Sequence, residues 1–544
     1  MKKYIKIIVC MCIGLQTFTA CEKSFLDEEV LSSYSPTTLR DKAGFEASLI
    51  GLYNHNNRFY SVSWAQGWPA VWQVGTDITW PTQPQGIENP YYNYNTLTPL
   101  DGAADNTWNW SYTMINNTNV LIQNVESPDI SGLTDEEKNK INAEARFFRG
   151  LSYNLLATAF GGVPLVTEPL TAPKTDFVRA PLADVNEVVI TDLKFAAKHL
   201  PNISALPASK QSRANKYMAH QLLAEVYLRV NQPALAEAHA DSVITSGQFG
   251  LIKNRYGVRF NAGIPGDPFS DMFIYGNQRR SQGNTEAIWV MEAENPRDVP
   301  GGSTDNPQQR RVWGASYHNR AGMVPADSLG GRGIARLRLN NWVLYDLYDE
   351  GDMRNSRHSI RREFWYNDPA PKYSNIYKTK VPYQGPDTLF IINPYTTKWG
   401  HFDPLDVFGY GMWKDFILMR LGETYLLRAE AEFKQGKLDE AAESINELRR
   451  RANAPLVSAS DITLDFILDE RVRELVGEEN RRLTLMRTGT LVERATRLNS
   501  NITGLPANRQ ITGLTQTNLL LPIPQNEIDL NKDAILEQNP GYIQ

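Results

Sequence analysis

Cysteine is scarce in this chain of 544 residues and is confined to its N-terminal end. The three cysteines are Cys10, Cys12 and Cys21. The first two lie in an apolar run that is typical of a removable leader, and the third is the first candidate for covalent modification. A folded body that begins after them excludes disulfides, cysteine-ligated zinc and a thiol nucleophile. Its stability must come from packing, for which a chain of this length has ample core.

Motifs of the common enzyme classes are missing as well. The seven histidines never pair at metal-ligand spacing, and the sequence contains no H-E-x-x-H, G-x-S-x-G or G-x-x-x-x-G-K-[ST]. No acidic stretch has the spacing of a calcium loop. We therefore assign no catalytic residue, no metal ligand and no cofactor, and expect a protein that is not an enzyme. A hydrolase with two carboxylates stays open, because any two of the 61 acidic residues could meet in the fold.

An excess of basic charge is also absent. Lys and Arg total 56 against 61 Asp and Glu, so the formal net charge is −5. Without a domain-wide basic surface, nucleic acid is not expected as a partner. The 42% of hydrophobic and 22% of charged residues are typical of a globular protein, and no second long apolar run follows the first.

The first 20 residues read as a bacterial lipoprotein signal peptide. Lysines precede a short apolar stretch, which is too short to span about 30 Å of hydrocarbon as a stable helix. Thr19 and Ala20 then lead into Cys21, and this resembles a lipobox, in which the cysteine becomes the first mature residue and carries acyl chains such as palmitate. Phe18 departs from the usual Leu. The alternative is a secreted protein with one free thiol. Residues 21–40 are polar and acidic and are predicted to form a lipidated tether.

Long amphipathic helices are predicted in residues 41–260 and 412–544. Thr134 and Glu137 form a capping box before an apolar stripe, and the glycines of "FGGVPLV" end that helix. Pro233 fits the first turn of the second helix of a pair. Another pair turns at Gln435 and Gly436. These two pairs are about 200 residues apart, so a regular solenoid of tandem repeats is not predicted.

Residues 261–411 have a different texture, rich in Gly, Pro, Asn and aromatic residues, with strand-like runs such as "EAIWVMEA". So long an irregular stretch predicts binding loops more than spacers. All three regions are expected to pack as one body. The charged segment "DERVRELVGEENRRLTLMRTG" is expected to form exposed pairs along one helix, Glu470 with Arg473 and Glu478 with Arg481 or Arg482.

Aromatic clusters supply the candidate ligand site. A flat ring can cover the C–H face of a pyranose while nearby Asp, Asn and Arg bond its hydroxyls. Because Gly67 and Pro69 argue against a regular helix from Trp64 to Trp72, a loop is expected to display some of these rings. For any single tryptophan, burial is the alternative, and Trp108, Trp110 and Trp289 are assigned to the core. The candidate residues are Trp64, Trp68, Trp72, Asp77, Trp80, Tyr91, Tyr92, Arg310, Trp313 and Tyr317.

The order of several segments resembles the SusD/RagB family of outer-membrane nutrient-binding lipoproteins of Bacteroidetes. The matching segments span nearly the whole chain: "CEKSFLD", "YTMINNTNVLI", "EARFFRGLSYNLLATAFGGVPLV", "DFILMRLGETYLLRAEAEF", "INELRRRA", "ERVRELVGEENRRLTLMRTG", "LLLPIPQNEIDLN" and "QNPGY". Two departures fall in the sixth segment, where Glu479 and Thr484 stand in place of the family's Gly and Asp.

The resemblance implies a mainly α fold, in which tetratricopeptide-like helical hairpins carry long ligand-binding loops and a few short strands. It also implies cell-surface display, lipid anchoring in the outer membrane and a SusC-like TonB-dependent transporter as partner. The expected function is capture of an oligosaccharide or polysaccharide and its delivery to that transporter. The alternatives are a peptide-binding member of the same family, a surface glycoside hydrolase and a pure interaction scaffold.

Overall fold

The computed structural model describes residues 41–61, 67–300, 307–382, 390–499 and 509–543. Within these ranges the protein is mainly helical with a few short strands, which confirms the predicted fold class. The predicted signal peptide, Cys21, the tether up to residue 40 and Trp64 lie outside the described residues.

The described α-helices are α1 (Lys42–Ser61), α2 (Trp68–Val71), α3 (Gly102–Glu126), α4 (Asp135–Phe160), α5 (Leu182–His199), α6 (Lys216–Arg229), α7 (Pro233–Ile244), α8 (Gly257–Asn261), α9 (Pro268–Asp271), α10 (Gln309–Trp313), α11 (Leu421–Lys434), α12 (Leu438–Ala452), α13 (Leu464–Leu475), α14 (Arg481–Thr488), α15 (Leu491–Asn499) and α16 (Gln525–Leu530). The described strands are β1 (Thr79–Pro81), β2 (Ala287–Met291), β3 (Leu337–Leu339), β4 (Ile360–Arg361), β5 (Tyr395–Thr396) and β6 (Phe416–Arg420). They form antiparallel pairs, β1 with β3, β2 with β6 and β4 with β5.

Local sequence signals set the helix ends as predicted. Thr134 caps α4, because its hydroxyl accepts from the Glu137 amide at 3.2 Å while the Glu137 carboxylate accepts from the Thr134 amide at 2.9 Å. Gly161 ends α4 with φ of 77°, a left-handed value that favours glycine. Pro233 opens α7, and α11 turns into α12 at Gln435 and Gly436.

Packing joins helices that are distant in sequence. From α3 to α7, each helix packs against the next one along the chain. Helix α7 then packs against α11, and α11 packs against α12. The two hairpins separated by about 200 residues therefore stand side by side in one row. The segment between α7 and α11 lies outside this row of helices. Its strand β2 pairs with β6, which directly precedes α11. This arrangement places the loop-rich region as an excursion from a helical scaffold.

One large hydrophobic core contains buried side chains from Phe45 in α1 to Leu536 near the C-terminus. Trp108 and Trp289 are buried in it, and Trp110 packs against it, which confirms their assignment to the core. Small buried alanines, including Ala219, Ala224 and Ala431, let the paired helices approach closely.

The charged segment after residue 468 is buried, and this corrects the predicted row of exposed pairs. Glu470 does pair with Arg473 at 2.9 Å, but its carboxylate is fully buried and also binds Arg354 and Arg449. Glu478 pairs with Arg420 at 2.7 Å instead of with Arg481 or Arg482. The predicted single helix is also wrong.

Residues 476–480 separate α13 from α14, so these charges face several elements instead of one helix surface. Arg482 donates to the backbone carbonyls of Val71, Val74 and Tyr91. The buried charges therefore tie the C-terminal helices to the N-terminal and middle regions.

Candidate functional site

The aromatic residues nominated as ligand platforms are buried wherever the structure describes them. None is more than 2% exposed: Trp68, Trp72, Trp80, Tyr91, Tyr92, Trp313 and Tyr317. A ring that is covered on both faces has no surface on which a sugar could stack. The prediction is therefore wrong for these seven residues.

The burial of Trp68 and Trp72 follows from α2. Pro69, which argued against a helix, stands in the first turn of this one, where its missing N–H costs nothing. Trp68 and Trp72 are one helical turn apart and both face Phe59 of α1, with ring centroids 5.3 and 5.8 Å away. The spacing of four residues therefore marks a core stripe.

The two charged candidates hold the fold together. Asp77 is buried between Arg481, which donates to it at 2.6 and 2.9 Å, and Arg494, which donates at 2.7 Å. Burial opposes ionisation of Asp77, but the two guanidinium groups outweigh it and hold the pKa of the carboxyl below its usual value. Arg310 is 4% exposed and donates to three backbone carbonyls.

Exposed aromatic rings occur elsewhere, in the loop-rich region. Among the described residues, every aromatic side chain that is exposed on the surface lies between positions 260 and 410: Phe260, Tyr275, Tyr345, Trp365, Tyr377, Phe408 and Tyr410. The aromatic rings of the helical scaffold are buried or partly buried, whereas the excursion between α7 and α11 has exposed rings of its own. The predicted region thus carries exposed aromatics, although not on the predicted residues.

A cavity of about 290 Å³ opens in this region. Its walls come from α8 and α9, from the turn at residues 273–275, from the loop at 327–330, from the residues around β4 and β5, and from residues 400–402. The volume lies close to the lower end of the range for small-molecule pockets, about 300–1,000 Å³. The cavity is thus large enough for part of an extended ligand.

Hydrogen bonds to two backbone carbonyls connect the segments that line the cavity. The His401 amide donates to the Gly330 carbonyl at 3.0 Å, and the Tyr395 hydroxyl donates to the Leu329 carbonyl at 2.8 Å. Gly330 has φ of 70°, and a Cβ there would lie 2.9 Å from the Gly400 backbone. This close approach requires glycine, and it holds two loops of the cavity together before any ligand binds.

Tyr275 stands at the cavity with more than half of its surface exposed and contacts His401 edge-to-face, with ring centroids 5.0 Å apart. Burial, with a contribution from Arg310, lowers the pKa of His401 to about 3, so this imidazole is neutral at physiological pH. A neutral, buried ring supports Tyr275 from one side and leaves the rest of the phenol accessible. Tyr275 is therefore the best-placed stacking platform of the site.

Charged residues surround the cavity. Arg259 and Asp327 form an ion pair at 3.0 Å, and Arg255 holds buried Asp271 through two contacts of 2.9 and 3.0 Å. Arg357 and Arg361 also line the cavity, and Arg361 donates to the Ser328 carbonyl at 2.6 Å.

A second exposed surface adjoins the cavity through the 402–410 loop. Tyr410 lies between Arg311 and Arg332, whose guanidinium carbons are 4.2 and 4.9 Å from its ring centroid. We call Tyr410 with exposed Phe408 the Tyr410 ledge. Arg310 joins the two surfaces, because it donates to the His401 carbonyl at 3.0 Å and to the Gly409 carbonyl at 2.7 Å.

Another cavity, of about 170 Å³, lies among the scaffold helices. Two of the carboxylates that line it are already bound, since Arg471 contacts Glu423 and Glu479, each at 2.8 Å. Its walls include no exposed aromatic ring. It lacks the combination of a displayed ring and accessible polar groups that marks the loop-region cavity.

Within the described part of the chain, no group of three or more His, Cys, Asp or Glu side chains is arranged to hold a metal ion. No described helix is long and apolar enough to cross a membrane. The carboxylates of the loop-region cavity, Asp271 and Asp327, both contact arginine, and neither is paired with the other.

Two family models match the chain and together span most of it. The SusD family model matches residues 285–542, and the model described as "Starch-binding associating with outer membrane" matches residues 25–228. The chain belongs to the SusD/RagB family. The match to the first model covers most of the loop-rich region and the C-terminal helices, and the match to the second covers α1 to α5 and nearly all of α6.

Named relatives are similar along most of their length. A SusD-like protein of Formosa agariphila is 24% identical over 553 residues, which cover 96% of this chain and 97% of the relative. The starch-binding protein SusD of Bacteroides thetaiotaomicron is 26% identical over 447 residues, or 76% of this chain and 74% of that protein.

Solved structures share the fold. A laminarin-binding SusD-like protein superposes with a TM-score of 0.68 at 23% identity, covering 92% of this chain and 100% of that one. Surface glycan-binding protein A of Bacteroides thetaiotaomicron, solved with laminarihexaose, gives 0.69 at 18% identity, covering 92% and 99%. At these identities the likeness of this SusD/RagB protein to them concerns the fold alone.

Sequence reasoning missed Tyr275, His401 and Tyr410. A signal was present for the two tyrosines, because glycine follows Tyr275 and glycines flank Tyr410 on both sides. A ring between glycines has few neighbouring side chains to cover it. No sequence signal marked His401, whose place depends on the long-range contact with Gly330.

Proposed function

We propose that this SusD/RagB protein is a lipoprotein of the outer membrane that binds a glycan at the cell surface. It captures an oligosaccharide or polysaccharide with its loop-rich region and delivers it, chemically unchanged, to a SusC-like TonB-dependent transporter. Family membership supports this role, and so do the names of the relatives and fold neighbours that bind starch, laminarin or laminarihexaose.

The observation that carries the proposal is the segregation of aromatic rings. Among the described residues, the scaffold buries its tryptophans while the excursion at 260–410 exposes seven aromatic side chains, with Tyr275 at a cavity. Exposed rings beside arginine and aspartate suit a ligand with apolar C–H faces and many hydroxyls. Millimolar binding requires only about −4 kcal/mol, which two or three stacking contacts and a few hydrogen bonds supply.

The state of the cavity carboxylates favours binding over hydrolysis. A glycosidase needs one carboxyl group that can donate a proton and another that acts as base or nucleophile. Here Asp271 is buried in a two-contact pair with Arg255, and Asp327 contacts Arg259. Both carboxylates that line the cavity are therefore already bound by arginine side chains.

We further propose that Cys21 carries the lipid and that residues 21–40 form the tether. Helix α1 begins at Lys42, whose ammonium contacts Glu137 at the N-terminal end of α4. Twenty residues reach at most about 70 Å when extended, which allows the body to move against a transporter while it stays anchored. The division of the body at residues 260 and 411 stays a prediction.

Calorimetric titration of the full mature chain in detergent with a panel of oligosaccharides and oligopeptides tests the function. We expect at least one oligosaccharide to bind and Tyr275→Ala to weaken it about twofold to tenfold, which corresponds to an aromatic contact of about 0.5–1.5 kcal/mol. Tyr377→Ala is the matched control, because Tyr377 is an exposed tyrosine of the same region that does not line the cavity.

Three results would contradict the proposal. Binding of peptides alone would support the peptide-binding alternative. Release of new reducing ends during incubation would identify a hydrolase. Equal affinities of wild type and Tyr275→Ala for a bound glycan would place the ligand away from this cavity.

A further inference from the structure

The cavity beside Tyr275 has more positive than negative charge on its walls. Arg259, Arg357 and Arg361 line it, together with Asp271 and Asp327. The protein as a whole is acidic, with a formal net charge of −5, so this local excess is not part of a generally basic surface.

The negative charge of each of these aspartates is already balanced by an arginine. Asp271 is 1% exposed and is held by Arg255, which lies outside the cavity lining, and Asp327 contacts Arg259 at 3.0 Å. Arg357 and Arg361 have no carboxylate partner among the described residues. Two guanidinium groups therefore face the cavity region with their charge uncompensated.

Arg259 and Arg361 converge on one loop. Arg259 binds the Asp327 carboxylate, and Arg361 donates to the carbonyl of the next residue, Ser328, at 2.6 Å. Consecutive Cα atoms are about 3.8 Å apart, so the two guanidinium groups approach the loop within one residue of each other. Arg357, four residues before Arg361, is exposed on the same wall.

A lysine side chain lies in the wall behind the cavity. Buried Lys414 donates to the carbonyls of Phe273 and Gly400, both of which line the cavity. Burial and the neighbouring Arg259 lower the pKa of Lys414 to about 7, so an anion in the cavity would also favour its charged form. Removing a cation from water without a counter-ion costs free energy, and an oxyanion bound beside the cation offsets that cost.

We infer that this cavity binds an acidic saccharide, a sugar whose ring stacks on Tyr275 and whose carboxylate or sulfate group is held by Arg357 and Arg361. This inference rests on the proposed function and adds the class of sugar to it. Arginine presents a planar fork of N–H donors that matches both oxyanions, and such charge-assisted hydrogen bonds are stronger than neutral ones.

The test is a calorimetric titration of the full mature chain at low and high salt. The probes are laminarihexaose, which is neutral, a hexamer of galacturonic acid, a sulfated galactan oligosaccharide of similar length, and inorganic sulfate alone. We expect the hexauronate or the sulfated galactan to bind about tenfold or more tightly than laminarihexaose at low salt, with the difference shrinking as salt rises. Which of the two binds tells carboxylate from sulfate.

Two variants localise the effect. Arg361→Gln and Arg357→Gln should each weaken binding of the acidic oligosaccharide about tenfold and change binding of a neutral one little. Arg357 is exposed and makes no ion pair among the described residues, so its variant stays folded even if the variant at 361 does not. Arg450→Gln, on the surface of α12 and paired with Glu443, is the control and should bind as wild type does.

The possible outcomes distinguish a failure of this inference from a failure of the proposed glycan-binding function. If laminarihexaose binds as tightly as the acidic probes and the arginine variants match wild type, the inference is overturned while the proposed function stands. If inorganic sulfate competes as well as an oligosaccharide does, the cavity is an anion site without sugar recognition, and the inference is overturned. If no oligosaccharide binds at all, both fail together.

Discussion

Asp77 offers the sharpest test of how the charges inside this protein act. Its carboxylate accepts three hydrogen bonds, from Arg481 at 2.6 and 2.9 Å and from Arg494 at 2.7 Å, and all three side chains are fully buried. Asp77→Asn keeps the shape but removes the negative charge, and it turns an amide N–H toward a guanidinium group. Two buried cations then lose a shared counter-ion.

The expected loss of folding free energy is large for a substitution that replaces one oxygen by an amide nitrogen. Breaking a buried ion pair by removing one partner destabilises proteins by about 3–5 kcal/mol. The entropy of unfolding is about 2.1 cal/mol/K per residue, or roughly 1 kcal/mol/K for roughly 500 residues, so the Tm should fall by about 3–5 °C. Thermal unfolding followed by tryptophan fluorescence measures this shift.

Asp298→Asn is the matched control. Asp298 also accepts two contacts from one arginine, Arg297, at 2.9 and 3.0 Å, but it is exposed to solvent, where ion pairs add little. Its Tm should be that of wild type. Equal small shifts for the two variants would refute the argument from burial. If Asp77→Asn is folded well below its Tm but no longer binds glycan, Asp77 would again be a candidate ligand-binding residue.

Two further predictions concern the anchor and acid stability. Cys21→Ala should release the protein from membranes into the soluble fraction, and retention on membranes in high salt would contradict the lipid anchor. His220 and His239 contact each other through their Nδ1 atoms at 2.8 Å, and burial lowers the pKa of each to about 4. Their neutral forms are favoured in the folded protein, so stability should be lost as the pH falls from 6.5 toward 4. His239→Asn should flatten the fall of Tm over this window, and an unchanged slope would exclude the pair as its source.

The helical scaffold was predictable because its signals are local. A capping box at Thr134, a proline at the start of α7 and a turn at Gly436 each act within one helical turn, and the structure confirms all three. The contact of α7 with α11 was not predictable, since it joins elements about 200 residues apart. Periodicity reveals that a helix has an apolar face but not which helix covers it.

The site was predictable by region and not by residue. Their aromatic and glycine-rich composition predicted that residues 261–411 form ligand loops, and among the described residues every exposed ring except that of Phe260 lies there. Trp68 and Trp72 were wrongly nominated because a ring's exposure depends on long-range packing, here against Phe59. Similarly, Arg481 lies 404 residues from its partner Asp77, so local spacing within its segment indicated the wrong pairing.

Arg310 explains how a nominated ligand residue can serve the site without touching a ligand. Its guanidinium donates to the carbonyls of Arg332, His401 and Gly409, and the last two lie at opposite ends of the 402–410 loop. These bonds fix both ends of the loop that joins the cavity to the Tyr410 ledge, so the two surfaces keep one spacing before a ligand arrives. Binding then costs less ordering of loops, which is the general advantage of a pre-organised site. A long saccharide that spans both surfaces gains from this fixed spacing, whereas a monosaccharide in the cavity alone does not.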